Sequence, residues 1–133
     1  MYIEFKKLIS TIEKKGVTIK IENRNFPGWF SYGFPKQHVE VIGFKNKVDK
    51  DYWDGLVLGY QDKSYDYNTK FNTNKVLGVI LVEDGNHKIV FKIPYKRGFS
   101  NTILKKEVNN FVKKYKKKWG LKVKYVERSQ LNL

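Results

Sequence analysis

An amphipathic stretch near the end of the chain limits the possible folds more than any other feature. Residues 100–124 read SNTILKKEVNNFVKKYKKKWGLKVK, and their apolar residues recur at steps of three and four, which predicts a long helix. The apolar side of this helix consists of Leu104, Val108, Phe111, Val112, Tyr115 and Trp119. Gly120 stands where a left-handed residue commonly ends a helix. One face of the helix must therefore cover a core, while the other face presents lysines.

The other elements are predicted from hydrophobic periodicity and turn residues. Residues 3–15 have one apolar face and are followed by Gly16, which predicts a first helix. Apolar alternation or continuous apolar runs predict strands at residues 17–21, 38–45, 55–60, 75–83, 87–94 and 121–125. The dipeptide Asp84-Gly85 predicts a hairpin turn between the fourth and fifth strands. Residues 61–74 are polar and tyrosine-rich, which is typical of a mobile loop.

The order α-β-β-β-β-β-α-β predicts an α+β fold, formed as a single domain by residues 1–133. We expect a curved, mostly antiparallel sheet of five or six strands, with the two helices packed on one face. The strand after the second helix can pair in parallel with a central strand. A chain of this length can bury a core without cross-links.

The composition predicts a cytoplasmic protein. The chain contains no cysteine, so disulfides and cysteine-based metal or nucleophile sites are excluded. No apolar run approaches the ~20 residues that a membrane span needs. The first residues, MYIEFKKLISTIEKKG, interleave acids and lysines with apolar residues and do not resemble a signal peptide. No motif in the chain implies a cofactor.

The positive charge is concentrated in the last third of the chain. The net charge is +14, and residues 88–126 contain thirteen Lys or Arg and one acid, whereas residues 37–87 contain six bases and eight acids. Such segregation favours a polyanionic partner: nucleic acid, an anionic membrane surface or the acidic surface of a protein. A membrane is not predicted as the partner, because the aromatic face of the long helix is needed to cover the sheet. A bias in composition is the alternative, because 24 lysines against three arginines and eleven asparagines are typical of an AT-rich genome.

The basic surface is the first candidate binding site. It comprises Lys96, Arg97, Lys105, Lys106, Lys113, Lys116, Lys117, Lys122 and Lys124. Lysines at helical spacing can follow a phosphate backbone of DNA or RNA, and binding of this kind weakens steeply with salt. Reading of guanine edges is mostly the work of arginine, which is scarce here, so backbone or shape recognition is predicted instead. A solvated helix face that only keeps the protein soluble remains the alternative.

An aromatic loop is the second candidate. Residues 26–34 contain two glycines and a proline around Trp29, Phe30, Tyr32 and Phe34. Such rings can stack on unpaired bases or anchor a partner protein. The alternative is that the loop folds back and closes one end of the sheet.

Metal and catalytic sites are less well supported. The run DKDYWDG at residues 49–55 resembles a calcium loop but lacks the glycine at its sixth position and the glutamate at its twelfth. No strand carries the Glu-x-Lys pair of metal-dependent nucleases. His38, His87 and Glu40 are the groups that a small basic ribonuclease would use for acid–base chemistry.

Three hypotheses follow, of which the first is a non-enzymatic nucleic-acid-binding protein. It would place its basic helix on the phosphate backbone and use the aromatic loop for stacking or a partner contact. The second is an inhibitor that docks its basic face on a nucleic-acid-processing or defence enzyme. The third is a small ribonuclease. The short, lysine- and asparagine-rich chain is also typical of accessory proteins of phages and plasmids.

Overall fold

Two helices and seven strands form the part of the chain that the computed structural model describes, residues 2–21, 38–48, 50–57, 70–92 and 101–133. In chain order the elements are α1 (Tyr2–Lys15), β1 (Val17–Ile21), β2 (His38–Lys45), β3 (Tyr52–Val57), β4 (Lys70–Thr73), β5 (Val76–Val82), β6 (Lys88–Phe91), α2 (Asn101–Trp119) and β7 (Val123–Glu127). A short 3₁₀ turn, Arg128–Gln130, follows β7. The predicted α+β class is confirmed, with one strand more than expected before α2.

The strands form one sheet in the order β4-β1-β2-β3-β6-β5-β7. Every neighbouring pair is antiparallel except β3–β6, which is parallel. The mostly antiparallel character is therefore confirmed. The expected parallel pairing of the last strand is wrong, because β7 pairs antiparallel with β5 at one edge. The parallel pair arises instead where the β5–β6 hairpin meets β3.

The extra strand, β4, lies inside the segment that was expected to be a loop. Its sequence is KFNT, and it pairs with β1 at the other edge of the sheet. The side chain of Thr18 on β1 donates a hydrogen bond to Asn72 Oδ1 on β4, at 2.8 Å. An edge strand with a polar, exposed face shows little apolar alternation, so its amino-acid sequence resembles that of a loop. The remainder of that predicted loop, residues 61–69, lies outside the described residues.

The two helices cover opposite faces of the sheet, and the expectation that they share one face is wrong. The α1 side chains Phe5, Leu8, Ile9 and Ile12 pack on the strand residues Val17, Ile19, Ile21, Val39, Val41, Val57, Val79, Ile89 and Phe91. The α2 side chains Val108, Phe111 and Tyr115 pack on Leu56, Ile80, Val82, Val90 and Val123. Neighbours in one strand, such as Leu56 and Val57, fall in different clusters because successive strand side chains point to opposite faces. The central strands are apolar on both faces, so each face requires a helix.

Both helices end at a glycine in the left-handed region, with φ of 75° at Gly16 and 65° at Gly120. The Gly120 N–H donates to the carbonyl of Lys116 at 2.8 Å, which closes the last turn of α2 as predicted. The predicted apolar side of α2 is buried at Val108, Phe111 and Tyr115, whereas Trp119 at its end is 37% exposed. The side chain of Leu104 lies outside the described residues. No helix in the described ranges combines the length and hydrophobicity of a membrane span.

The segment after β7 returns to α1. Arg128 Nε donates a hydrogen bond to Glu13 Oε2 at 2.8 Å, and this carboxylate raises the pKa of Arg128. Leu131 is buried in the same cluster as the apolar side of α1. The 3₁₀ turn therefore ties the β7 edge of the sheet to the helix on its α1 face.

Candidate nucleic-acid interface

The packing of α2 determines which of its side chains face solvent. Because Val108, Phe111 and Tyr115 are buried against the sheet, residues about half a turn away point outward. We call these residues the outer face of α2: Thr102, Lys106, Asn109, Asn110, Lys113, Lys116 and Lys117. All seven are exposed. Lys105 is also exposed, at the border of this face.

The charges of the outer face are not neutralised within the described part of the chain. Lys105 Nζ pairs with Glu127 Oε1 at 3.2 Å, and both side chains are well exposed, so this contact adds little stability. No described carboxylate forms an ion pair with the other four lysines, which are Lys106, Lys113, Lys116 and Lys117. These four ammonium groups therefore project one continuous positive field along the helix.

Two of the predicted basic residues lie elsewhere. Lys124 pairs in register with Leu81, whose side chain packs on the α1 cluster, so Lys124 points to the α1 face of the sheet. Lys122 is exposed just before β7, and its backbone N–H donates to Glu83 Oε1 at 3.2 Å. The expectation of one surface that includes Lys124 is therefore wrong, since the edge strand turns that side chain away from α2. Lys96 and Arg97 lie outside the described residues.

The aromatic loop stays a prediction. Trp29, Phe30, Tyr32 and Phe34 all lie outside the described residues. Within α2 itself, the rings of Tyr115 and Trp119 contact each other with centroids 4.5 Å apart. Both rings belong to the sheet-facing side of α2 and not to its outer face.

A buried ionic cluster beneath α2 was not predicted. It consists of His38, Asp54 and Lys88, with exposed fractions of 1%, 7% and 2%. Lys88 Nζ donates a hydrogen bond to Asp54 Oδ2 at 3.1 Å, and His38 Nε2 lies 3.7 Å from Asp54 Oδ1. The Lys88 ammonium also lies 5.5 Å from the centre of the Tyr115 ring, a cation–π distance. The cluster therefore connects three strands of the sheet to α2.

The sheet register explains how these charges meet. Glu40, Asp54 and Lys88 are directly opposite one another on β2, β3 and β6. Lys20 on β1 extends the row, with its Nζ 3.6 Å from Glu40 Oε2. The opposite charges of Lys20–Glu40 and of Asp54–Lys88 favour this register, and they offset the unfavourable placement of the two acids Glu40 and Asp54 opposite each other. Charged side chains are rarely buried, so the sequence offered no signal that this part of the row lies in the interior.

The two histidines do not form the acid–base pair expected of a ribonuclease. His38 lies on the α2 face together with Glu40, whereas the His87 ring packs against Phe5 of α1 and Trp53. The sheet therefore separates His87 from the other two groups. Both histidines are buried. Among the described residues, no group of His, Asp and Glu side chains is arranged to hold a metal.

His87 is held in its neutral form by its surroundings. Its Nδ1 accepts a hydrogen bond from the Val82 N–H at 2.9 Å, so this nitrogen carries no proton. Burial lowers the pKa of His87 from its ordinary value of 6.5, and the charge of Lys88 acts in the same direction. Asp84 opposes them. The folded protein therefore resists protonation at this position.

We expect the stability of the protein to fall as the pH drops through about 6.5, because the unfolded chain takes up a proton at His87 before the folded chain does. Above that pH both states are neutral at this residue, and it contributes no pH dependence. The loss continues down to the lowered pKa of the folded state. Urea unfolding at about pH 7.5 and about pH 5 measures the effect.

The matched control is His87→Asn, which keeps an acceptor oxygen for the Val82 N–H but does not titrate. The wild-type protein is expected to lose more free energy of unfolding between the two pH values than this variant. Equal losses would show that His87 is not the titrating group.

Comparison with other proteins found no matching family model, no matching curated protein and no matching solved structure.

Proposed function

We propose that this protein is a non-enzymatic nucleic-acid-binding protein that uses the outer face of α2 to contact phosphates. The observation that supports this function is the row of four exposed lysines without a described carboxylate partner, Lys106, Lys113, Lys116 and Lys117. Phosphates would supply the missing counter-charges, and release of condensed counterions would favour binding. We place this activity in the cytoplasm, because the chain has no cysteine and therefore no disulfide framework of the kind that small secreted proteins use.

The helix is suited to this role because it is fixed to the sheet. Val108 and Phe111 are fully buried and Tyr115 nearly so, which holds the lysines at defined positions along the axis. From Lys106 to Lys117 the helix rises about 16 Å. Phosphate contacts over such a length position a protein on nucleic acid but carry no sequence information by themselves.

The test replaces three of the lysines by glutamine, as Lys106→Gln, Lys113→Gln and Lys117→Gln in one chain. If four phosphates are contacted, the affinity of the wild-type protein falls about 150-fold between ~50 and ~200 mM salt. The triple variant retains one contact, so its affinity is expected to fall only about fourfold over the same range. Fluorescence anisotropy with labelled DNA and RNA, single- and double-stranded, gives both slopes.

A control variant with the same loss of charge is available on the other face of the sheet. Lys7, Lys14 and Lys15 of α1 are exposed, and their replacement by glutamine leaves the outer face of α2 intact. This variant is expected to keep nearly the wild-type salt slope. If both variants lowered the slope equally, the binding would be a general effect of net charge. If the wild-type protein bound none of the four ligands at ~50 mM salt, the proposal would be wrong.

A further inference from the structure

Two asparagines lie between the lysines on the outer face of α2. Asn109 is three residues after Lys106 and Asn110 three residues before Lys113, so all four side chains share one helix surface. Both asparagines are exposed, and neither amide has a hydrogen bond to another described residue. Together with Thr102 they line a shallow depression along α2. The centre of the positive row therefore presents two uncommitted amides, each able to donate and accept.

We infer that α2 enters the major groove of double-stranded DNA and that Asn109 and Asn110 read adenine there; this inference rests on the proposed function. The lysines would flank the amides and contact phosphates on either side of the groove. The side-chain amide of asparagine can form two hydrogen bonds to the edge of adenine at once. Its NH₂ group donates to N7, and its oxygen accepts from the N6 amino group. Of the four bases, adenine is the one with which asparagine forms this pair of hydrogen bonds most favourably.

A duplex fits this surface better than a single strand. Proteins that bind single strands stack the bases on exposed aromatic rings. The aromatic residues of α2 are Phe111 and Tyr115, which are buried, and Trp119, which packs on Tyr115 at the end of the helix. The outer face of α2 offers no ring on which a base could stack, only lysines, asparagines and a threonine.

DNA fits better than double-stranded RNA for reasons of groove shape. A helix with its side chains is about 10–12 Å wide and matches the ~12 Å major groove of B-form DNA. The major groove of A-form RNA is too narrow and deep for side chains to read. The ~16 Å from Lys106 to Lys117 corresponds to about five base-pair steps of B-form DNA. The recognised sequence should therefore be short.

The experiment begins with selection of bound sequences from a pool of random DNA duplexes. The enriched duplex is then remade with 7-deazaadenine, which removes the N7 acceptor from the major groove but leaves the backbone and the minor groove unchanged. We expect selection to enrich an adenine-containing step and the modified duplex to bind about tenfold more weakly. The paired variant Asn109→Ala and Asn110→Ala should bind both duplexes alike and keep the wild-type salt slope.

The variant is expected to fold, because both positions are exposed and alanine is the better helix former. A wild-type protein that binds both duplexes equally, with a steep salt slope and no enriched sequence, would overturn this inference and leave the phosphate-binding function standing. Preference for single strands or for double-stranded RNA would also overturn it. Absence of binding to any nucleic acid would overturn the inference and the proposed function together.

Discussion

Replacement of Asp54 by leucine is expected to lower the free energy of unfolding by about 3–5 kcal/mol. Asp54 accepts a hydrogen bond from the Lys88 ammonium at 3.1 Å, and only 2% of Lys88 is exposed. Without this carboxylate, the buried Lys88 ammonium loses a directly bonded counter-charge while it remains shielded from water. Urea unfolding followed by circular dichroism measures the loss.

The companion variant removes both charges, as Asp54→Leu with Lys88→Met. A methionine can lie against the Tyr115 ring where the lysine lies now, with a favourable sulfur–aromatic contact. Replacement of a buried ion pair by apolar residues is often neutral, so the double variant should recover most of the stability that the single variant loses. If Asp54→Leu lowered the free energy of unfolding by less than about 1 kcal/mol, the description of Asp54 and Lys88 as a buried ion pair would be wrong.

Replacement of Ile12 by alanine is expected to lower the free energy of unfolding by about 2–5 kcal/mol. Ile12 is fully buried where α1 meets the sheet, so the smaller side chain leaves a cavity as well as losing apolar burial. Its matched control is Ile3→Ala on the same helix, because Ile3 is 70% exposed. We expect the control to change stability by no more than about 0.5 kcal/mol.

Thermal or urea unfolding of the two isoleucine variants tests the orientation of α1. Both variants delete the same atoms and gain the same helix propensity, so the difference between them reports burial alone. Equal effects would mean that α1 does not bury the side of the helix that contains Ile12.

The elements that the sequence predicted well are those with strong local signals. α2 follows a regular three- and four-residue apolar spacing and ends at Gly120, and the β5–β6 hairpin has apolar strands on both sides of Asp84-Gly85. β4 was missed because its four residues, KFNT, gain their structure from pairing with β1 and not from their own pattern. Tertiary pairing decides such strands.

The placement of the helices was predicted wrongly although a signal for it existed. The run Val76–Val82 is continuously apolar, which is typical of a strand covered on both faces. Two covered faces require a layer on each side, and the chain has one helix for each. The parallel β3–β6 pair could not be predicted, because strand order depends on contacts between distant residues.

The candidate site was predicted only in part, because the face on which a strand residue lies also depends on contacts between distant residues. The exposed lysines of α2 could be predicted from its apolar stripe. The 3.6-residue period of a helix places the residues between the apolar ones on the opposite side. Lys124 lies on a strand, where the face it occupies depends on a pairing partner that the sequence does not specify. The buried cluster around Lys88 was beyond reach, because lysine is almost never buried unless it is paired.

The strand order also has a consequence for how the chain assembles. β2–β3 and β5–β6 are each connected by a short segment and can form early, because closing a short loop costs little chain entropy. The parallel contact between β3 and β6 joins these two hairpins, and its Asp54–Lys88 bond spans 34 residues of the chain. Contacts of the outer strands span still more, such as the 54 residues between Thr18 and Asn72. We therefore expect the two hairpins to dock before the outer strands pair, with the ion pair between Asp54 and Lys88 forming at the seam where they meet.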